Sequence, residues 1–164
     1  MPQTEGAAWA PTPDEVARVN ILHADILSEL KRPQDCADKL DAVLFDLHVS
    51  PPMREEAGRR ILLCAIKLED TGSLDRAISL LDGVRMDETM DLSLREAAGR
   101  RLLLYSLKLE ETGSAGQAMN LLDGIHRDQT LPSSLREEAS RLVLRMVERW
   151  STHLNDLNDL GKLS

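Results

Sequence analysis

The sequence predicts an all-α chain, a short α-solenoid of three helical hairpins closed by a C-terminal capping helix, and three observations carry that expectation. The first is a tandem repeat: Arg54 to Leu94 is followed at once by Arg95 to Leu135, identical at 23 of 41 positions. A unit of this length is one supersecondary piece that buries its apolar face by stacking on its neighbour. The second is composition. Leu, Ala, Glu, Arg and Asp dominate and aromatic residues are only 2% of the chain, a palette of helices rather than sheets. The third is a recurring set of helix start and stop signals at the same places in both copies.

Taken in order, the first helix is expected to begin at Thr12-Pro13-Asp14-Glu15, a capping box with Pro at the first helical position. Pro51-Pro52 opens the next first helix, and Ser93-Leu94-Arg95-Glu96 and Ser134-Leu135-Arg136-Glu137 spell capping boxes for two more. Starts therefore fall near residues 13, 52, 94 and 135. Each full-copy first helix should end at a Thr-Gly-Ser turn, where Gly72 and Gly113 suit a helix C-cap and Ser73 and Ser114 can cap the helix that follows. That second helix carries Ala77, Leu80, Leu81 and Val84 in one copy and Ala118, Leu121, Leu122 and Ile125 in the next, a stripe at helical spacing that must be buried.

A fainter copy precedes these: Ile21, Leu22, Ala24, Ile26, Ala37 and Leu40 match Ile61, Leu62, Cys64, Ile66, Ala77 and Leu80 at a spacing of 40, with Lys31-Arg32-Pro33 as its turn. A half copy, Arg136 to Trp150, follows as a first helix without a partner. The expected organisation is a flexible N-terminal tail over 1–12, a repeat domain over 13–150 with units at about 13–53, 54–94 and 95–135 and a capping helix at 135–150, and a C-terminal tail over 151–164. In that tail Leu154, Leu157, Leu160 and Leu163 stand three apart among Asn and Asp, able to dock as a last turn or to remain loose.

Composition also bounds function. A formal net charge of −8 argues against nucleic acid as the main ligand, because phosphate binding needs an excess of Lys and Arg. The N-terminus has no basic start with an apolar run, and no stretch reaches 18 uninterrupted apolar residues, so neither signal peptide nor membrane span is expected. Cys36 and Cys64 lack CxxC spacing and read as small core residues in a reducing, cytoplasmic protein. His23, His48, His126 and His153 are scattered without metal-ligand spacing, and the isolated Asp82-Gly83 and Asp123-Gly124 do not make a phosphate loop. No cofactor, metal site or catalytic constellation is expected, and the chain reads as a non-enzyme.

These residues resemble the tetratricopeptide repeat, a helix-turn-helix unit. Ala65 and Ser106 stand where that family has a small residue midway along the first helix, Gly72 and Gly113 at its turn, and Ala77 and Ala118, followed by Leu81 and Leu122, on its second helix. The chain departs from the family in repeat length, 41 residues against about 34. Ile61, Leu68, Leu102 and Leu109 replace the usual aromatics, and Thr89 and Thr130 the closing proline. The resemblance implies an adaptor, co-chaperone or scaffold that holds a helix or extended segment of another protein in a concave face lined by first helices. Its small size, acidity and three-hairpin plan are similar to those of bacterial type III secretion chaperones with tetratricopeptide folds. Carried over, the partner-binding positions would be Leu22, Ile26, Leu62, Ile66, Leu103 and Leu107. All six are apolar, so the family's carboxylate clamp of Lys, Arg and Asn is not expected. The alternatives are that these positions are plain core, or that the same face forms a homodimer in a self-assembling scaffold. The doublets Arg59-Arg60 and Arg100-Arg101, with Arg141, are expected to pair with Glu55, Glu56, Glu96 and Glu137 one turn away.

Overall fold

The computed structural model describes residues 10–163, with side chains to residue 161; the expectations placed on residues 1–9 and on the Leu163 side chain lie outside the described residues. Among the described residues every regular element is helical: α1 (Pro13–Glu29), α2 (Pro33–Leu44), α3 (Pro51–Asp70), α4 (Leu74–Met86), α5 (Leu92–Glu111), α6 (Ala115–Arg127) and α7 (Ser133–Leu163). The chain divides into two compact units, residues 1–98 and 99–164, and the division falls within α5.

In the first unit α1 packs on α2 and α3, α2 on α3 and α4, and α3 on α4. The packing follows from the apolar stripes. Ala17, Ile21, Ala24 and Leu27 of α1, Ala37, Leu40 and Val43 of α2, Ile61, Ala65 and Leu68 of α3, and Ala77, Leu80, Leu81 and Val84 of α4 are all buried. Each buried Leu or Ile contributes about 1.5–3 kcal/mol. In the second unit α6 packs on α7, and Ala118, Leu122 and Ile125 of α6 and Leu135, Ala139 and Met146 of α7 are buried. Leu121, expected in the buried stripe, is only half-buried.

The turns explain the spacing. Gly72 and Gly113 have φ of 81° and 88°, the left-handed cap that glycine adopts without a Cβ penalty, and Lys31 takes the same turn at φ 57°. In all three the next residue's N–H closes the turn: Arg32 N to Leu27 O at 3.0 Å, Ser73 N to Leu68 O at 2.8 Å, and Ser114 N to Leu109 O at 2.8 Å. Residues 31, 72 and 113 are 41 apart, so the first copy is in register at 41, and the spacing of 40 drawn from its apolar letters is corrected. At 41 the small buried residues Ala24, Ala65 and Ser106 coincide, as do Cys36, Ala77 and Ala118. The connecting segments repeat too. Asp46, Asp87 and Asp128 each accept the N–H two residues on, at 2.9, 3.1 and 3.1 Å, and the buried apolar residues Val49, Met90 and Leu131 follow.

Helix starts hold in part. Thr12 Oγ1 accepts the Glu15 N–H at 3.1 Å, as the capping box requires. The other two boxes are corrected: α5 begins at Leu92 and α7 at Ser133, which places Ser93 and Ser134 inside the helices, and the Ser93 hydroxyl donates to Asp91 at 2.8 Å. Ser73 and Ser114 occupy cap positions without a side-chain capping bond. The segment expected as a separate tail from residue 151 instead continues α7.

Candidate functional site

The corrected register sorts the apolar residues of the first helices. Leu22 of α1, Leu63 of α3 and Leu104 of α5 are 41 apart and are 53%, 65% and 52% exposed. Three leucines at one register position, each more than half in water, are not core. Of the six positions expected to meet a partner, Leu22 and Ile26 are exposed, Leu62, Ile66 and Leu107 are half-buried, and Leu103 is buried. Leu63 and Leu104 were missed because the copy aligned at 40 places Leu22 opposite Leu62 rather than Leu63.

On α1 the exposure runs the whole length of the helix. Val19, Leu22, Ile26 and Leu30 form an apolar stripe on the face away from Ala17, Ile21 and Ala24. Beside it, α3 is held by polar contacts: Arg60 grips the Asp25 carboxylate with Nε at 2.8 Å and Nη2 at 3.2 Å, and Lys67 Nζ donates to Ser28 Oγ at 2.5 Å. The hydrogen bond to the Asp25 carboxylate also raises the pKa of the Arg60 guanidinium. Arg60 was expected to pair with Glu56 one turn away; that carboxylate is 3.9 Å off and secondary to Asp25. Arg59 does pair with Glu55, at 3.3 Å. Arg100 reaches Glu138 at 3.6 Å, and Arg141 Nε donates to the Glu137 carbonyl at 3.4 Å.

Several buried polar groups were not legible. Arg54 and Arg95, the first-turn arginines of the two copies, are 8% and 4% exposed. Arg54 Nη1 donates to Asp87 Oδ2 at 3.0 Å, and Arg95 Nε donates to the Arg85 carbonyl at 2.8 Å. They fasten the α4 C-terminus to α3, through Arg54, and to the first turn of α5, through Arg95. Asp14, at the start of α1, accepts the Ser50 N–H at 2.7 Å, and the bonds from Ser50 lower its carboxyl pKa.

Cys36 and Cys64 are buried side by side, as core residues. Hydrogen bonding to Cys36, reinforced by burial, pushes the Cys64 thiol well up, while the same bond lowers Cys36. Cys64 Sγ lies 3.7 Å from the Pro33 carbonyl. No group of three His, Cys, Asp or Glu able to hold a metal ion occurs among the described residues. A cleft of about 350 Å³ in the second unit is lined by Glu110, Glu111, Arg149, Trp150 and His153, with Arg149 and Glu110 bridged at 2.7 Å. No helix among the described residues is long and apolar enough to cross a membrane. Comparison with protein-family models, with curated proteins and with solved structures found no match.

Proposed function

We propose that this chain is a non-enzymatic interaction module, a tetratricopeptide-like stack of helical hairpins that works in the cytoplasm as an adaptor or dedicated chaperone. Its partner is a helical or extended segment of another protein with an apolar stripe. The observation that carries this reading is the recurrence of an exposed leucine at one register position of α1, α3 and α5. Soluble monomers rarely leave such a residue in water at every repeat without a use for it.

In the first unit the surface consists of Leu22 and Ile26 on α1 with Leu62, Leu63 and Ile66 on the adjacent α3. Docking a partner leucine against such residues contributes about 1.5–3 kcal/mol per buried side chain before the costs of association. The charged rims Asp25–Arg60 and Glu55–Arg59 flank it and set orientation more than affinity.

The test is a displayed library of amphipathic peptides selected on the wild-type chain and then measured on a Leu22→Lys/Leu63→Lys double variant. Both residues are mostly in water, so the variant should keep its helical circular dichroism and its Tm. Binding should fall at least tenfold. Equal binding by the variant, or failure of any peptide to bind, would refute the proposal.

A further inference from the structure

We propose that Cys36 and Cys64 form a peroxide-responsive dithiol, which closes into a reversible disulfide between α2 and α3. They are the only two cysteines of the chain and come from different helices. α2 packs on α3, and there the two thiols hydrogen-bond to one another. Cys64 Sγ also lies 3.7 Å from the carbonyl oxygen of Pro33, in the α2 turn that carries Cys36. Packing does not require sulfur at either place. In the 41-residue register Ala77 and Ala118 stand at the Cys36 position, and Tyr105 and Met146 at the Cys64 position, all of them buried. Only in the first copies do both positions hold a thiol.

A buried thiol among apolar groups is ordinarily inert, because desolvation holds it protonated. Cys36 departs from that. The bond from the Cys64 thiol, the largest influence on it, lowers its pKa, and the Lys67 ammonium one turn beyond Cys64 acts in the same direction; burial and the Asp25 carboxylate oppose them without cancelling them. Cys64, as the donor, has its own pKa pushed up by the same bond and by burial. The pair is thus divided into a sulfur that yields its proton and one that keeps it, the division between an attacking and a resolving thiol. Access is narrow. Each residue is 4% exposed, and Pro33 and Lys67 also line a cleft of about 360 Å³ with Ser28, Lys31 and Thr71. Such an opening suits hydrogen peroxide and excludes a protein disulfide.

The reaction balances with hydrogen peroxide as the oxidant. The Cys36 thiolate attacks one peroxide oxygen, the O–O bond breaks, and the hydroxide that leaves takes up the proton Cys36 released, giving a sulfenic acid and water. The Cys64 sulfur then attacks the Cys36 sulfur. The S–O bond breaks, the S–S bond forms, and the departing hydroxide takes the Cys64 proton as a second water. Each thiol has lost one electron and the peroxide has gained two. A dithiol reductant reverses the change, so in a reducing compartment the bond is transient, as redox-sensing disulfides are. The site uses neither Leu22 nor Leu63 and stands independently of the peptide-binding surface.

The test exposes the full, reduced chain in native buffer to hydrogen peroxide, followed by alkylation in urea and mass spectrometry. The expected product is a monomer lighter by two hydrogens, with no alkylated cysteine and with the Cys36 and Cys64 peptides joined; dithiothreitol should restore both thiols. The disulfide form should melt roughly 5–10 °C above the reduced form, because the closed loop narrows the unfolded ensemble. Cys64→Ser, which keeps a donor beside Cys36, should stop at a sulfenic acid that dimedone traps. Cys36→Ala, the residue that the later copies hold there, should give at least tenfold less trapped product. Thiols that react only in urea, a disulfide between two chains, or trapping at Cys64 in place of Cys36 would each overturn the proposal, the first in favour of inert core cysteines.

Discussion

Replacing Arg54 tests whether the polar fastening between α3 and α4 is a structural element or an accident of the surface. The Arg54 and Asp87 side chains are 10% and 11% exposed and are joined at 3.0 Å, with Arg54 Nη2 also 3.4 Å from Thr89 Oγ1. Breaking a fully buried ion pair costs about 3–5 kcal/mol, chiefly because the remaining charge is stranded. Here Asp87 keeps two other donors, the Thr89 N–H at 3.1 Å and the Thr89 hydroxyl at 2.5 Å. The cost of Arg54→Ala is therefore placed lower, at about 2–3 kcal/mol. For a chain of this size that is a fall in Tm of roughly 5–10 °C. Asp87→Ala should cost at least as much, because it strands the guanidinium and also removes the turn that follows α4. The assay is urea denaturation followed by circular dichroism on wild type, both single variants and the double variant. The two losses should fail to add by at least about 1 kcal/mol, the mark of direct coupling. Additive losses, or a single-variant cost within about 0.5 kcal/mol of zero, would refute the reasoning, since surface substitutions lie in that range.

Two further predictions concern backbone and pH. Lys31 holds the left-handed turn that Gly72 and Gly113 hold in the later copies, so Lys31→Gly should stabilise by about 0.5–1 kcal/mol, read as a rise in urea midpoint; a loss would show that its side chain contributes more than its φ costs. The Asp14 carboxyl has its pKa lowered by its bonds from Ser50, so the stability it contributes is present above its ordinary 3.8 and is lost as pH falls through the lower folded value. Wild type should be more stable than Asp14→Asn at pH 6, with the gap closing as pH is lowered below 3.8; a gap independent of pH would show that charge on Asp14 plays no part.

What the sequence made legible follows from what is local. The Thr12 cap, the glycines at residues 72 and 113 and the stripe of Ala77, Leu81 and Val84 each depend on neighbours within one or two turns, and each stands where expected. The first-copy register was not legible, because its decisive residue is a lysine in a left-handed conformation; no letter marks it as equivalent to a glycine. Nor could the runs Leu62-Leu63 and Leu102-Leu103-Leu104 declare which leucine faces water. Adjacent residues on a helix point about 100° apart, so such a run offers apolar groups around much of the circumference. Packing then chooses: Leu102 and Leu103 are buried while Leu104 is exposed. The arginines mislead for a related reason. Arg60 has an acceptor one turn away in Glu56, yet Asp25, 35 positions away in sequence, offers both carboxylate oxygens to its fork, and two-point contact wins.

Two helices leave apolar side chains in water that the packing of their own units does not require. α1 leaves Val16, Val19, Leu22, Ile26 and Leu30 in water, and α7 leaves Leu154, Leu157 and Leu160. Leu and Ile at α1 positions that a polar residue could fill equally well would lower solubility without aiding the fold, since α1 already buries Ala17, Ile21, Ala24 and Leu27 on its other side. The two stripes also differ in kind. That of α1 lies beside α3 and the Asp25–Arg60 pair, whereas that of α7 follows the Arg149–Glu110 bridge. If α1 and α3 capture a partner segment, Leu22→Lys/Leu63→Lys should abolish that association in a peptide-binding assay, while Leu154→Asp/Leu157→Asp on α7 should leave it intact; equal loss in both variants would refute the assignment to α1 and α3.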